Sequence, residues 1–198
     1  MTQQYDSAHH HDITVEDRNA SFVNAINGHW IEDYDQRENM DQYLYQMGMS
    51  WFKRSYASLV SWEDELLISV ENNTLTMNGL RGPFAEAYEY DAKLDNLTLN
   101  AMDIGDFGGI TDAITEIKND SMISYVFKPE SSTELFFIVT NTIDLPYDVD
   151  VLKVEYKHVS SNVVWRSVFQ RSQEDKKVEE EEEVENYDDL WEDDEDWK

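Results

Sequence analysis

Histidines and paired carboxylates are the side chains best suited to catalysis or metal binding, and neither group forms a recognisable site. Positions 9–11 are consecutive histidines, which is typical of a solvated tract, and no His, Cys or Glu spacing matches a structural zinc site. The acidic pairs Asp33/Asp35 and Asp148/Asp150 fit exposed strands or loops. Because no nucleophile elbow, P-loop or His-Glu-x-x-His motif occurs, the sequence predicts a protein that is not an enzyme and has no catalytic residues, metal or cofactor.

The charge of the chain narrows the classes of partner. The formal net charge is −28 over 198 residues. Such a chain repels phosphate groups and anionic lipid headgroups, which disfavours nucleic-acid binding and adsorption to acidic membranes. Basic proteins and divalent cations remain electrostatically favourable partners.

Composition divides the chain into three segments. Residues 1–22 are polar and predict a disordered arm, residues 23–172 hold nearly all the patterned apolar sequence, and residues 173–198 form an acidic tail. The first residues show no signal-peptide pattern, and no run of about 18 apolar residues occurs, so we expect no stable membrane insertion. The absence of cysteine fits a reducing compartment. We therefore expect a cytoplasmic protein, and a monomer.

Two short helices are predicted near the start of the patterned region. Asn39 is a candidate cap for the first helix, Gly48 suits its left-handed end, and Ser50 is a candidate cap for the second. The first helix has an apolar face at the helical spacing, formed by Met40, Tyr43, Leu44 and Met47. The second helix repeats this spacing at Phe52, Tyr56, Leu59 and Val60.

Most of the remaining patterned sequence favours short strands. Apolar residues alternate in segments separated by turn signals, such as Asn72-Asn73 between "ELLISVEN" and "TLTMNGL". A further strand, "NAINGHWIEDYD", precedes the helices. About ten short strands at regular spacing indicate a mainly all-β protein, either an antiparallel barrel or a sandwich.

The helical hairpin is similar to a motif of the intracellular fatty-acid-binding protein family, within the calycin superfamily. The segment "NMDQYLYQMGMSWFKR" resembles the family pattern Asn-Phe-Asp-x-Tyr-(Leu/Met)-x-x-(Leu/Met)-Gly-Val-(Gly/Ser). The matching positions are Asn39, Met40, Asp41, Tyr43, Leu44, Met47, Gly48, Met49 and Ser50. Gly28-x-Trp30 resembles the family's Gly-x-Trp on the first strand, and the resemblance extends over residues 22–172.

The resemblance implies a fold and a function. The fold is a ten-stranded antiparallel up-and-down β-barrel with a helix–turn–helix lid between strands 1 and 2. The function is the non-covalent binding and transport of a small hydrophobic ligand inside the cell. Trp30 is then expected to close the base of the barrel. The candidate ligand-binding residues are Met40, Tyr43, Leu44, Met47, Met49, Phe137, Ser167 and Phe169.

The family's anion-binding residues find no match here. Family members hold a fatty-acid carboxylate with an Arg-x-Tyr pair on the last strand and a second arginine two strands earlier. If Phe169 takes the tyrosine position, Ser167 takes the arginine position. If Arg166 takes the arginine position, Val168 takes the tyrosine position. In either alignment Phe137 stands at the position of the second arginine. The sequence thus predicts a neutral or weakly polar ligand.

Three side chains could reverse this expectation. Arg166, Lys153 or His158 would supply a cation if it turned into the barrel. Without such a partner, a buried carboxylate costs several kcal/mol, which cancels the burial of several methylenes at about 0.8 kcal/mol each.

The acidic tail carries apolar residues of its own. Residues 174–198 contain fifteen acidic and three basic side chains, a density that predicts disorder. Leu190, Trp191 and Trp197 are candidate interaction residues, because tryptophan is enriched at binding hot spots. The tail could act as a solubilising chain, bind a basic protein, or fold back near the lid. An interaction module with a degenerate barrel, acting through this tail, is the alternative to a ligand carrier.

Overall fold

A computed structural model describes residues 15–59, 65–81, 86–104, 108–145 and 147–172 of the chain. The three helices are α1 (Val15–Ile26), α2 (Met40–Gln46) and α3 (Trp51–Leu59). The ten strands are β1 (Gly28–Glu38), β2 (Glu65–Glu71), β3 (Thr74–Arg81), β4 (Glu86–Lys93), β5 (Asn100–Asp103), β6 (Ile110–Ile117), β7 (Ser121–Phe127), β8 (Leu135–Asp144), β9 (Asp148–His158) and β10 (Val164–Arg171). Within these ranges no helix is both long and apolar enough to cross a bilayer.

The strands form one antiparallel sheet that curls into a nearly closed barrel. Its order is β4-β3-β2-β1-β10-β9-β8-β7-β6-β5, so β1 pairs with β10 and the two ends of the order are β4 and β5. The Asn72-Asn73 turn joins β2 to β3 with positive φ at both residues, as predicted. Helices α2 and α3 lie between β1 and β2 in the chain. The ten-stranded barrel with a helical lid at this position is therefore confirmed.

The turn between α2 and α3 is fixed by backbone hydrogen bonds. Gly48 adopts φ +83°, and its N–H donates to Tyr45 O at 3.0 Å. The Met49 N–H donates to Leu44 O at 3.0 Å. These two bonds form the Schellman motif, which requires a left-handed residue that glycine supplies without strain.

Two details of the predicted lid are wrong. Asn39 precedes α2 but makes no side-chain cap, because it is itself left-handed at φ 60°. The first two residues of the apolar face predicted for α3 are exposed, Phe52 at 74% and Tyr56 at 42%, whereas Ala57 is buried. The small side chain of Ala57 lines the cavity, and Trp51, Phe52 and Tyr56 of the same helix face solvent.

Helix α1 occupies part of the segment, residues 1–22, for which the sequence predicts a disordered arm. Residues 15–26 are helical, including three residues assigned to the first strand, which begins only at Gly28. Phe22 and Ile26 are fully buried against the barrel, so one apolar helix edge stabilises a segment of polar composition. Residues 1–14 lie outside the described part of the chain.

The base of the barrel is closed by Trp30 and Arg171. Trp30 is fully buried, as the sequence predicts, and its indole N–H donates to Ile26 O at 2.9 Å. Arg171 lies over the Trp30 ring at 4.4 Å and donates to Asn27 O at 2.9 Å and Ala25 O at 2.6 Å. The guanidinium thus satisfies carbonyls at the end of α1, where a helix leaves acceptors unpaired.

Candidate ligand-binding cavity

A cavity of about 170 Å³ lies inside the barrel beneath α2 and α3. Its lining is mostly apolar and comes from the lid, from β1 to β3, from β5 and from β7 to β10. The lining residues are Arg37, Met40, Tyr43, Leu44, Met47, Met49, Ala57, Leu66, Met77, Met102, Ile104, Met122, Ser124, Phe137, Val139, Asn141, Tyr156, Trp165 and Phe169. Such a lining can hold an apolar guest out of water.

Methionine is concentrated at this cavity. The chain has seven methionines, and all six that follow Met1 line the cavity. They are Met40, Met47, Met49, Met77, Met102 and Met122. Because methionine is unbranched, flexible and polarizable, these side chains can rearrange around guests of different shape.

Seven of the eight predicted ligand-binding residues line the cavity. They are Met40, Tyr43, Leu44, Met47, Met49, Phe137 and Phe169. Ser167 is buried on the inward face of β10, between Trp165 and Phe169. Leu190, Trp191 and Trp197 of the tail lie outside the described residues, as do the histidines at positions 9–11.

An aromatic cluster joins the lid to the barrel wall. Tyr156 stacks on Trp165 at 4.4 Å between ring centroids, and Tyr43 of α2 lies 5.7 Å from Trp165. Burial raises the pKa of Tyr43 above its usual value of 10, so its phenol stays neutral at physiological pH. These ring contacts join α2 to β9 and β10, and they place neutral aromatic rings on the cavity wall.

A buried ion pair borders the cavity on the β1 side. The Arg37 Nε donates to Glu32 Oε1 at 2.7 Å, and its Nη2 donates to Glu32 Oε2. Both side chains are almost fully buried, at 7% and 1% exposure. Arg37 Nη1 also lies 3.7 Å from the Met40 sulfur. Among the lining residues Arg37 alone has a charged side chain, and Glu32 neutralises it.

Hydroxyl and amide groups form a second polar region of the wall. Tyr90, Thr115 and Ser124 make a chain of hydroxyls, with both O···O distances 2.9 Å. Burial raises the pKa of Tyr90, which keeps it neutral. Ser124 and Asn141 both line the cavity. These neutral groups can donate to or accept from an alcohol, ketone or amide.

Two buried donors on β10 have no hydrogen-bond partner among the described residues. They are the Trp165 indole N–H and the Ser167 hydroxyl. Their strand neighbours on the inward face are Tyr156 and Val154. Because unpaired buried donors cost about 1–3 kcal/mol each, this part of the wall is poorly satisfied without a guest or a bound water.

The three cations that could have reversed the ligand prediction do not line the cavity. Arg166 and Lys153 are exposed on the outer face of the barrel, and Arg166 pairs with Glu155 at 3.0 Å. His158 is buried, and its Nδ1 lies 2.8 Å from the Ser161 hydroxyl. Burial, with a further effect of Lys128, lowers the pKa of His158 and favours its neutral form.

Sequence reasoning missed Arg37 and Glu32. Alternation along β1 places Trp30 and Glu32 inward, but the pairing of β1 with β10 shifts between Asp33 and Glu38. This irregularity decides the direction of Arg37, and strand parity cannot reveal it. The methionine content, by contrast, is visible in the sequence and could have indicated the other lining residues.

The outer wall of the barrel carries a larger depression, which is open to solvent. It measures about 490 Å³ and lies on β6 to β8, beside the loop that contains Leu97. Its lining includes Ile114, Tyr125 and Phe127. In the described part of the chain no group of three or more His, Asp or Glu side chains is arranged to hold a metal. The enclosed cavity is thus the better candidate site.

Comparisons with solved structures address the fold. The REP1-NXSQ fatty acid transporter matches with a TM-score of 0.59 and 15% identity, covering 75% of this chain and 96% of that one. The fluorescent protein UnaG matches at 0.61 and 14%, covering 76% and 99%. The fatty-acid-binding protein isolated from Manduca sexta matches at 0.54 and 14%, covering 74% and 98%.

Sequence comparisons add nothing to this result. No family model matches the chain, and no curated protein sequence does. The structural matches cover nearly the whole of each neighbour and about three quarters of this chain. The chain therefore has the fold of the fatty-acid-binding proteins.

Proposed function

We propose that this protein binds and transports a small hydrophobic ligand, neutral or weakly polar, in the barrel cavity. The observation that carries the proposal is the Arg37–Glu32 pair, which neutralises the one charged side chain among the described residues that line the mostly apolar cavity. The role is non-covalent and not enzymatic. We further propose that the protein acts as a monomer in the cytoplasm, in keeping with its lack of cysteine.

The energetics favour an alcohol over a fatty-acid anion. A carboxylate at Arg37 would either displace Glu32, which leaves a buried carboxylate without a partner, or contact Nη1 and place a second buried anion on a guanidinium that Glu32 already neutralises. Breaking a buried ion pair in this way costs about 3–5 kcal/mol. An alcohol or amide can instead bond with Ser124 or Asn141 and leave the ion pair intact.

The cavity is small, but its wall can rearrange to admit a ligand. Its volume of about 170 Å³ lies below the ~300–1,000 Å³ typical of pockets for drug-sized ligands. Six flexible methionines on the wall can widen it, because their rotamers change with little loss of packing. Each methylene that enters contributes about 0.8 kcal/mol.

The competing function is an interaction module that has lost its ligand. A barrel filled with side chains would favour that alternative. The retained cavity and the unpaired donors Trp165 Nε1 and Ser167 Oγ favour a ligand carrier.

Matched acids and alcohols test the proposal. Affinities for decanol and decanoate, and for oleyl alcohol and oleate, are measured at pH 7.5 by titration calorimetry. Comparison at equal chain length cancels the contribution of size. We expect each alcohol to bind at least about tenfold more tightly than its acid, since a displaced Glu32 outweighs 1.4 kcal/mol, the equivalent of a tenfold ratio.

The variant Glu32→Gln sharpens the test. It retains the shape of Glu32 but frees the charge of Arg37, so we expect decanoate to gain affinity relative to decanol. Glu155→Gln, on β9 beside exposed Arg166, is the matched control and leaves the ratio unchanged. Decanoate binding the unaltered protein as tightly as decanol would contradict the proposed ligand class. Binding of neither class would favour the interaction module.

A further inference from the structure

The lid presents a cluster of exposed aromatic side chains, here called the lid patch. It consists of Tyr45 on α2 and Trp51, Phe52 and Tyr56 on α3, which are 61%, 71%, 74% and 42% exposed. Phe52 and Tyr56 share one face of α3, being four residues apart. The Arg54 guanidinium lies 5.0 Å from the Tyr45 ring and joins the two helices. Large aromatic residues grouped outside a core mark an interaction surface.

The charge around the lid patch differs from that of the rest of the chain. Residues 42–62 form the longest run without an acidic side chain, and they include Lys53 and Arg54. This segment has a formal charge of +2, which leaves −30 for the other 177 residues. Lys53 is exposed, and Arg54 pairs with Asp41 at 2.9 Å. The surface therefore suits a segment that is both acidic and aromatic.

We propose that the chain's own C-terminal segment, around Leu190 and Trp191, docks on the lid patch. The sequence there is "YDDLWEDDEDWK", in which apolar residues lie between carboxylates. Trp191 and Leu190 match the exposed rings, and the flanking Asp and Glu side chains match Lys53, the exposed cation of α3. Both chemical components of the lid patch thus have a counterpart in this segment.

The length of the tail permits this contact. Ser172 lies at the base, where its N–H donates to His29 O at 2.8 Å, and β1 then rises from His29 to Glu38 at the lid. Nine residues of strand span about 30 Å. The 19 residues from Ser172 to Trp191 extend to about 60 Å, and repulsion among their carboxylates favours expanded conformations. The segment can reach the lid along the outside of the barrel.

Tethering favours the chain's own segment over other occupants. A linker of this length gives a local concentration in the millimolar range, so even weak aromatic contacts are populated. An anionic membrane is disfavoured by the net charge of −28. The contact requires no ligand in the cavity, so it stands or falls independently of the proposed function.

A spin label on the tail tests the contact in the full-length chain. Since the protein has no cysteine, Asp194→Cys provides a single attachment site. Amide signals of the ¹⁵N-labelled chain are compared with the label oxidised and reduced, at low ionic strength. We expect loss of signal intensity at α2 and α3, and retained intensity on the outer face of β6 to β8. Broadening that is absent, or equally strong over the whole barrel, would overturn the proposal.

Variants distinguish a contact made by Trp191 from electrostatic attraction of the acidic tail alone. Trp191→Ala in the labelled chain, and the pair Trp51→Ser with Phe52→Ser, should each restore the lid signals. Trp197→Ala is the matched control and should leave the broadening largely in place. Added salt should weaken it, because the carboxylate contacts are exposed. If the broadening survives Trp191→Ala, the docking through Trp191 is wrong.

Mixing experiments test two other occupants of the lid patch, a second copy of the chain and a membrane surface. Chain that carries the spin label but no ¹⁵N is mixed with ¹⁵N-labelled chain that carries no spin label. The lid signals of the ¹⁵N-labelled chain should broaden little. Broadening in the mixture as strong as within one chain would assign the lid patch to a second copy and contradict the proposal. Lid signals that the spin label leaves unchanged, but that shift when vesicles of neutral phosphatidylcholine are added, would assign the lid patch to a membrane surface instead.

Discussion

At the base of the barrel Trp30 is fully buried and donates to Ile26 O, whereas at the lid Trp51 is 71% exposed. Phe22 and Ile26 fill the space beside Trp30 at the base. At the lid end a cavity remains beneath the helices, and the Trp165 N–H beside it has no partner among the described residues. Tryptophan is thus buried at one end and exposed at the other, where we propose that it contacts the tail.

Arginine shows the same difference. Arg171 at the base donates to three backbone carbonyls and pairs with Asp150. Arg37, nearer the lid, is held by one carboxylate beside an adaptable wall. The base buries large side chains and gives Arg171 several acceptors, and it can therefore supply stability that a cavity at the other end costs.

The largest expected effect distinguishes the two tryptophans. Trp30→Ala should lower the free energy of unfolding by about 3–5 kcal/mol, because a fully buried aromatic side chain and its hydrogen bond are lost. Trp51→Ala should change it by less than about 0.5 kcal/mol, because the side chain is mostly exposed. Urea unfolding measures both. Equal losses would mean that the two ends contribute alike to stability.

A smaller effect is expected for two arginines on β10. Arg171→Met should cost about 2–3 kcal/mol, because it leaves the carbonyls of Ala25 and Asn27 without their charged donor. Arg166→Met is the control; its ion pairs are exposed, so the loss should stay below about 1 kcal/mol. The same unfolding measurement applies. A costly Arg166→Met would show that surface pairs near the lid matter more than burial suggests.

The smallest effect concerns pH and lies on the lid side, at the end of β9. Burial keeps the pKa of His158 below its ordinary value of 6.5 in the folded state. Between these two values the unfolded chain binds a proton that the folded chain does not, so stability falls as pH drops below 6.5. One such group contributes at most about 1.4 kcal/mol per pH unit. Urea midpoints at pH 7.5 and 5.5 should differ less in His158→Gln. An unchanged difference would exclude His158.

Much of the fold could be predicted from local patterns. Asn72 and Asn73 predict a hairpin turn, because asparagine tolerates the positive φ that such a turn requires. Both residues adopt positive φ in the structure. Gly48 likewise marks the end of α2. The lid motif located the helices between β1 and β2, and with them five of the cavity-lining residues. These features depend on short-range backbone chemistry, which sequence displays directly.

The rest depends on contacts between distant residues. α1 is polar in composition, and only its packing through Phe22 and Ile26 reveals it as ordered. On α3 the small Ala57 is buried while Phe52 and Tyr56 are exposed, against the apolar periodicity. The inward direction of Arg37 follows an irregularity in the pairing of β1 with β10. None of these is encoded within a few neighbouring residues.

The methionine methyl groups give the most direct test of the central claim, that the cavity under the lid binds a neutral hydrophobic ligand. All six methionines after Met1 line the cavity, and ¹³C-methyl labelling with single Met→Leu variants assigns their signals. Titration with decanol at pH 7.5 should shift these six signals together and saturate at one ligand per chain. Signals that stay unmoved up to the solubility limit of decanol, or shifts confined to amides of α3 on the outside, would contradict the account.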